Sequence, residues 1–210
     1  MYTPPAFRDD DRDSLRETIR AARLANFVTA TADGPLVTPL PLFLDASEGE
    51  HGVIYGHLAK ANPQAHTPPI GEAVAVFMGP DAYITPSWYA TKAESGKVVP
   101  TWNYVAVHAH GPVEFFDDPE RLRTVVTRLT ELQEGERAEP WAVGDAPDPF
   151  IAGQLRGIIG LRMTVTRIEG KRKMSQNRVP ADRAGVAAGL AQSEHPSDRA
   201  VAPLIPIEPV

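Results

Sequence analysis

Over residues 102–116 the chain sets Trp102, Tyr104, Ala106, His108 and His110 on one face and Val105, Val107 and Ala109 on the other. Successive side chains of an extended chain point to opposite sides, so this period of two predicts a single long β-strand. Shorter β-branched and aromatic runs accompany it. Residues 27–31, an Asp33-Gly34 turn and residues 36–44 predict an antiparallel hairpin, with Pro39 and Pro41 pushing its second strand toward an edge or a bulge. Residues 52–55 predict a strand that delivers His57 at its end, residues 73–78 and 82–85 two strands parted by Gly79-Pro80-Asp81, and residues 158–168 the last strand.

Helical signals lie between and beside these strands. Residues 13–25 carry Ser14 and Glu17 at capping-box spacing, with Leu15, Ile19 and Ala22 on one face. Asp118-Pro119-Glu120 opens a second helix with Leu122, Val125, Val126, Leu129 and Leu132 on its buried stripe. Residues 136–149 read as a loop containing Trp141, residues 150–157 as a short helix, and residues 175–190 as a loop and a terminal helix. Short strands with helices at the margins predict a mainly β, α+β fold built on a small antiparallel barrel. Residues 1–190 are expected to form that domain and residues 191–210 a Pro-rich tail, poorly ordered from 202 on.

A chain of 210 residues with 42% hydrophobic content can fill one such core. No stretch approaches the roughly 20 apolar residues of a membrane span, and the start Met1-Tyr2-Thr3-Pro4-Pro5 lacks signal-peptide character, so a cytoplasmic protein is expected. The absence of cysteine excludes disulfides, thiolate nucleophiles and thiolate-held zinc or haem. Iron or another metal would fall to histidine, carboxylate, tyrosine or methionine. A formal charge of −6 argues against a general polyanion binder, so DNA is not an expected partner.

Chemistry concentrates in Tyr55-Gly56-His57-Leu58-Ala59-Lys60-Ala61-Asn62-Pro63-Gln64-Ala65-His66. Asn62 before Pro63 reads as an N-cap with proline at the first helical position. A helix N-terminus beside Lys60 would attract a phosphate or carboxylate, and His66 would stand on the first helical turn. The plainer alternative is a capped surface helix with two satisfied histidines. His108 and His110 point the same way and could pair on a metal, but no third ligand stands at diagnostic spacing in the sequence, so they read as wall residues.

Several motifs resemble, in one order, the PaiB-type family, the so-called FMN-binding negative transcriptional regulators among the split-barrel flavoproteins related to pyridoxamine phosphate oxidase. They are Met1-Tyr2-Thr3-Pro4-Pro5-Ala6-Phe7, Gly56-His57-Leu58-Ala59-Lys60-Ala61-Asn62-Pro63-Gln64 and Phe77-Met78-Gly79-Pro80-Asp81-Ala82-Tyr83-Ile84. Pro86-Ser87-Trp88-Tyr89, Val99-Pro100-Thr101-Trp102-Asn103-Tyr104, Val107-His108 and Lys173-Met174-Ser175-Gln176-Asn177-Arg178 complete the set. The resemblance implies a six-stranded antiparallel split barrel with flanking helices that forms a homodimer. It also implies a cofactor pocket lined by His57, Lys60, Trp102, Asn103, Ser175, Gln176 and Asn177.

Many members of that family continue after Asn-Pro-Gln with Trp-Arg, where this chain has Ala65-His66. That exchange frees volume and supplies an imidazole, and in this respect the chain resembles the haem-dependent piperazate synthases of the same family. The resemblance implies haem b held by His66 as axial iron ligand, and an N–N bond-forming dehydrative cyclisation of N5-hydroxyornithine in natural-product biosynthesis. Such a reaction needs one acid and one base, for which Lys60, His57 and Tyr89 are candidates. A substrate carboxylate would be anchored by Lys60, Lys173 or Arg178, whereas Lys171 and Arg172 read as a solvated patch. The alternative is an FMN-binding split-barrel protein, a flavin oxidoreductase or PaiB-like regulator, in which Lys60 and the helix start at Asn62 hold the phosphate.

Overall fold

The computed structural model describes residues 1–207, which fall into two compact units, each described by itself. The first unit holds residues 1–18, 78–107 and those from 169 onward; the second holds residues 19–77 and 108–168. In chain order the elements are β1 (Arg8–Asp9), α1 (Arg12–Ala21), β2 (Ala25–Thr31), β3 (Gly34–Leu40), β4 (Leu42–Asp45), β5 (Val53–Ala59), β6 (Ala73–Ile84) and α2 (Thr91–Ser95). They continue with β7 (Thr101–Gly111), β8 (Val113–Phe116), α3 (Pro119–Glu134), α4 (Asp148–Leu155), β9 (Ile158–Thr164), β10 (Arg167–Lys173), α5 (Pro180–Ala191) and α6 (Pro196–Val201).

In the second unit, β2 and β3 form the predicted hairpin, in register from Ala25 opposite Leu40 to Thr31 opposite Gly34. The other edge of β2 pairs with the start of β6, Ala25 opposite Phe77. A separate antiparallel sheet runs in the order β4-β5-β9-β8. Its cover is the amphipathic α3, capped by Asp118, whose side chain accepts from the Arg121 N–H at 2.9 Å. Leu122, Val125 and Leu129 of α3 bury with Phe116, Val143, Ile151 and Leu155, and Phe43 and Tyr55 pack against them.

Proline accounts for a difference from the expected strands. Residues 36–44 were expected as one strand and residues 102–116 as another, yet each divides at a single proline, Pro41 and Pro112, with the next strand entering the other sheet. Proline has no N–H to give to a ladder, so it suits the point where a strand leaves its sheet. At the second break the backbones close so tightly that a Cβ on Gly111 would collide with the Thr164 carbonyl. Residues 158–168 also divide, into β9 and β10, without a proline at the break; the side-chain pattern predicts seven strands and the described residues hold ten, with β1 added and the two pieces of β6 joined.

Gly79-Pro80-Asp81 does the opposite of what its composition predicts. It lies inside β6, which runs on without a turn. Ala73, Ala75 and Phe77 are buried before it and Ala82 and Ile84 after it, so the inward-facing parity shifts by one residue across the segment. Phe77 and the residues before it belong to the second unit, while Ala82 and Ile84 are buried in the core of the first.

In the first unit the strand order is β1-β10-β7-β6. Helix α5 packs there with Val186, Ala187 and Leu190 against Ala82, Ile84, Tyr89, Val105 and Met174. Helix α1 begins with Asp11 rather than Ser14 as its cap: the Asp11 carboxylate accepts from the Ser14 N–H at 2.8 Å, while the Ser14 hydroxyl donates to Asp9 at 2.6 Å. The segment expected as a loose tail is packed through residue 205. Val201 of α6 and Ile205 are buried in the same core as α5, and residues 208–210 lie outside the described residues. No helix among the described residues is long and apolar enough to cross a membrane.

Candidate functional site

The 55–66 segment belongs entirely to the second unit. His57 lies within β5, opposite Gly160 of β9, and not at the strand end as expected. Its Nδ1 is buried and meets no hydrogen-bond partner among the described residues. Burial lowers its pKa below the ordinary histidine value, so at neutral pH the ring is uncharged and carries one unspent polar atom. Lys60 follows the strand, its N–H donating to the Gly157 carbonyl at 2.8 Å. The Lys60 ammonium reaches Asp117 at 3.2 Å in an open ion pair, the kind that holds a side chain weakly.

The expected helix start at Asn62 is a single 3₁₀ turn, Pro63–Ala65. So short an element has no summed dipole to hold a phosphate, and this part of the sequence reading is corrected. What Asn62 and Gln64 do instead is clip the turn onto the β2–β3 hairpin. The Asn62 amide oxygen accepts from the Gln64 N–H at 2.9 Å, and its Nδ2 donates to Thr38 Oγ1 at 3.0 Å. Gln64 is buried, and its Nε2 lies 3.2 Å from the Phe27 carbonyl, 3.1 Å from Thr29 Oγ1 and 3.2 Å from the Leu36 carbonyl. Thr38 Oγ1 donates to the Gln64 amide oxygen. His66 ends the turn as an exposed residue, its Nε2 donating to the Lys60 carbonyl.

The remaining expected residues lie in the first unit. Trp102 is 53% exposed and meets the Tyr83 ring edge-on, with centroids 5.8 Å apart. Asn103 and Ser175 are both buried and bonded to each other, Asn103 Nδ2 donating to Ser175 Oγ at 2.9 Å. Gln176 is spent on its own loop: its Oε1 accepts from the Met174 N–H at 2.6 Å and its Nε2 donates to the Arg172 carbonyl. These three therefore shape the 173–178 turn. Asn177 is exposed. Tyr89 is a core residue whose hydroxyl is buried, with the Arg178 guanidinium beside its ring. Burial pushes its pKa up, against the opposing charge of Arg178, so as a catalytic acid it is poorly placed to reach solvent.

Sequence reasoning missed Lys171, taken for part of a solvated patch but only 9% exposed. The available signal was alternation along β10, which sends Lys171 and Lys173 to one side of the strand and Arg172 to the other. It also missed the bridging network of the second unit, in which the Tyr55 hydroxyl donates to Glu48 at 2.7 Å and Arg162 reaches both at 3.2 Å and 3.1 Å.

Comparison with known proteins supplies the class. The family model described as "Putative FMN-binding domain" matches residues 1–167, and the chain belongs to that family. Its fold is the α+β, split-barrel-like kind with flanking helices. The chain is 33% identical to "Protease synthase and sporulation protein PAI 2" of Bacillus subtilis (strain 168) over 206 residues, covering 98% of this chain and 96% of that protein. Among solved structures, the conserved hypothetical protein Rv2991 from Mycobacterium tuberculosis superposes with a TM-score of 0.59 at 12% identity, over 85% of this chain and 94% of that one. The FAD and heme binding protein from Mycobacterium smegmatis gives 0.57 at 13% identity, over 79% and 73% of the two chains. At such identities these two likenesses speak for the fold alone.

Family membership overturns the haem reading. Haem b as cofactor, the piperazate synthase activity and N5-hydroxyornithine as substrate are replaced by the FMN-binding class. The local geometry agrees with the correction: His66 stands exposed and has its Nε2 engaged with the Lys60 carbonyl. The volume gained by having Ala65 instead of a large aromatic residue is taken up by packing, since Ala65 is itself buried.

Proposed function

We propose that the protein binds FMN and serves as a flavin-dependent oxidoreductase for a small organic substrate. The observation that carries this reading is the match of an FMN-binding family model to residues 1–167, a range that contains the His57–Lys60 segment. Two groups of that segment fit the ligand chemically. The buried, unpartnered Nδ1 of the neutral His57 ring can exchange a hydrogen bond with a polar edge of the flavin. Lys60, restrained only by its open pair with Asp117, can turn to a phosphate at small cost. Bound FMN supplies two-electron hydride chemistry; the chain supplies orientation and a proton-neutral imidazole.

In the first unit, Trp102 offers an exposed ring to a flat ligand, and Asn103, Ser175 and Gln176 act by holding the 173–178 turn. Homodimer formation, implied by the family likeness, belongs to the same reading and is checked by sedimentation equilibrium.

Fluorescence titration of the purified full chain with FMN tests the proposal. Saturable quenching is expected, with Lys60→Ala and His57→Phe each weakening binding by about tenfold, the equivalent of one charge-assisted contact. A flat titration overturns FMN as the cofactor, and variants indistinguishable from wild type overturn the assignment of those two residues.

A further inference from the structure

Three cations of the first unit gather on one side of β10 and at the turn that follows it. Arg172, facing the other way, finds Asp9 at 3.4 Å and Ser14 at 2.9 Å. Lys171 and Lys173 find no such partner. Nζ of Lys171 donates to the Tyr2 carbonyl at 3.1 Å and lies 5.2 Å from the centre of the Tyr104 ring. Lys173 donates to the Thr101 hydroxyl, and the Arg178 guanidinium stacks over the Tyr89 ring at 4.6 Å. Among the described residues none of the three cations meets a carboxylate at ion-pair distance.

Like charges held together at a partly buried site repel one another, and water cannot fully screen them. Burial lowers the Lys173 pKa, Tyr104 opposes the shift, and Lys171 and Arg178 add to it. Among the described residues the Arg178 guanidinium is engaged with Tyr89 alone, a buried residue whose ring it covers. A ligand bearing negative oxygens would offset the charge.

We propose that Lys171, Lys173 and Arg178 form a binding site for an oxyanion, the phosphate or carboxylate group of a small-molecule ligand. Arg178 presents a planar fork that suits two oxygens at once, and the two lysines act as point charges on the others. All three residues lie beyond residues 1–167, the part of the chain matched by the family model. The proposal does not depend on flavin binding.

Isothermal titration of the full chain with inorganic phosphate tests it. One saturable site is expected, weakened about tenfold or more by Lys173→Met and by Arg178→Met and unchanged by Lys97→Met, an exposed lysine of the same unit. Absence of saturable binding in the wild type, or wild-type binding in both variants, overturns the site. Should a variant fail to fold, acetylation of the wild-type protein reads the same contact: phosphate is expected to protect Lys173 but not Lys97, and equal labelling of Lys173 with and without phosphate overturns it. A comparison of FMN with riboflavin identifies the source of the oxyanion. Loss of the preference for FMN in Lys173→Met assigns the site to the flavin phosphate, and an unchanged preference alongside lost phosphate binding assigns it to a second ligand.

Discussion

Asn103 Nδ2 donates to Ser175 Oγ at 2.9 Å, and Ser175 holds this position with a φ of 59°, the only non-glycine residue of positive φ among the described residues. The bond ties β7 to the turn that carries Lys173 and Arg178, so a strained backbone conformation is kept in place by a buried side-chain pair. Ser175→Ala and Ser175→Gly both delete the hydroxyl, but only glycine relieves the backbone. Ser175→Gly is expected to be more stable than Ser175→Ala by about 1 kcal/mol in urea unfolding. Equal stabilities would show that the conformation carries no cost.

Gln64 connects the 3₁₀ turn to both strands of the β2–β3 hairpin through a fully buried amide. Replacing it by leucine keeps the bulk and strands several polar groups without water. Gln64→Leu is therefore expected to lose about 3 kcal/mol of unfolding free energy, measured by urea denaturation. Its cost should exceed that of Lys60→Ala, which removes an open ion pair worth less than about 1 kcal/mol.

Alanine is the better helix former, so Gly189→Ala in α5 would ordinarily stabilise by up to about 1 kcal/mol. Here a Cβ at residue 189 would run into the indole of Trp88. The steric effect is expected to win, lowering the melting temperature through an overpacking cost of about 1–3 kcal/mol. A raised melting temperature would mean that Trp88 can swing aside.

Acid should weaken the second unit through His57. Its folded pKa is depressed by burial, so below the ordinary histidine value of about 6.5 the unfolded chain takes up a proton that the folded chain still refuses. Stability contributed by the neutral ring is thus complete above that value and declines as pH falls below it. His57→Gln should narrow the difference in unfolding free energy between pH 7.5 and pH 5.5. A difference as wide as that of wild type would place the acid sensitivity on other groups.

Much of the architecture was legible from local pattern. The β2–β3 hairpin, α3 with its Asp118 cap and the alternation of β7 followed from turn chemistry, proline at N1 and side-chain period, all of which act within a few residues. Errors came where a local signal has two meanings. Pro41 reads as a residue that pushes its strand toward an edge or a bulge, and residues 102–116 read as one strand across Pro112, whereas each proline marks the exchange of one sheet for another. Gly79-Pro80-Asp81 reads as the break between two short strands and instead lies inside one continuous strand.

The 55–66 segment shows the same divide at the level of chemistry. Its residue types told correctly that something polar is organised there, and the family motif it carries agrees with the FMN-binding class. Which of those groups remain available could not be read from order along the chain. Gln64 is consumed by a hairpin residues away in sequence, His66 by a neighbouring carbonyl, and only His57 Nδ1 is left without a partner among the described residues.

By itself, the sequence determined the class: strand period, capped helices and ordered motifs are local properties that survive without knowledge of the contacts. Tertiary structure decided the inventory of usable groups, because burial and the company of distant residues set whether a polar atom is already satisfied. Lys171 makes the point: of three letters in a basic run, it becomes the buried cation and Arg172 and Lys173 the half-buried ones only when β10 takes its place in a sheet.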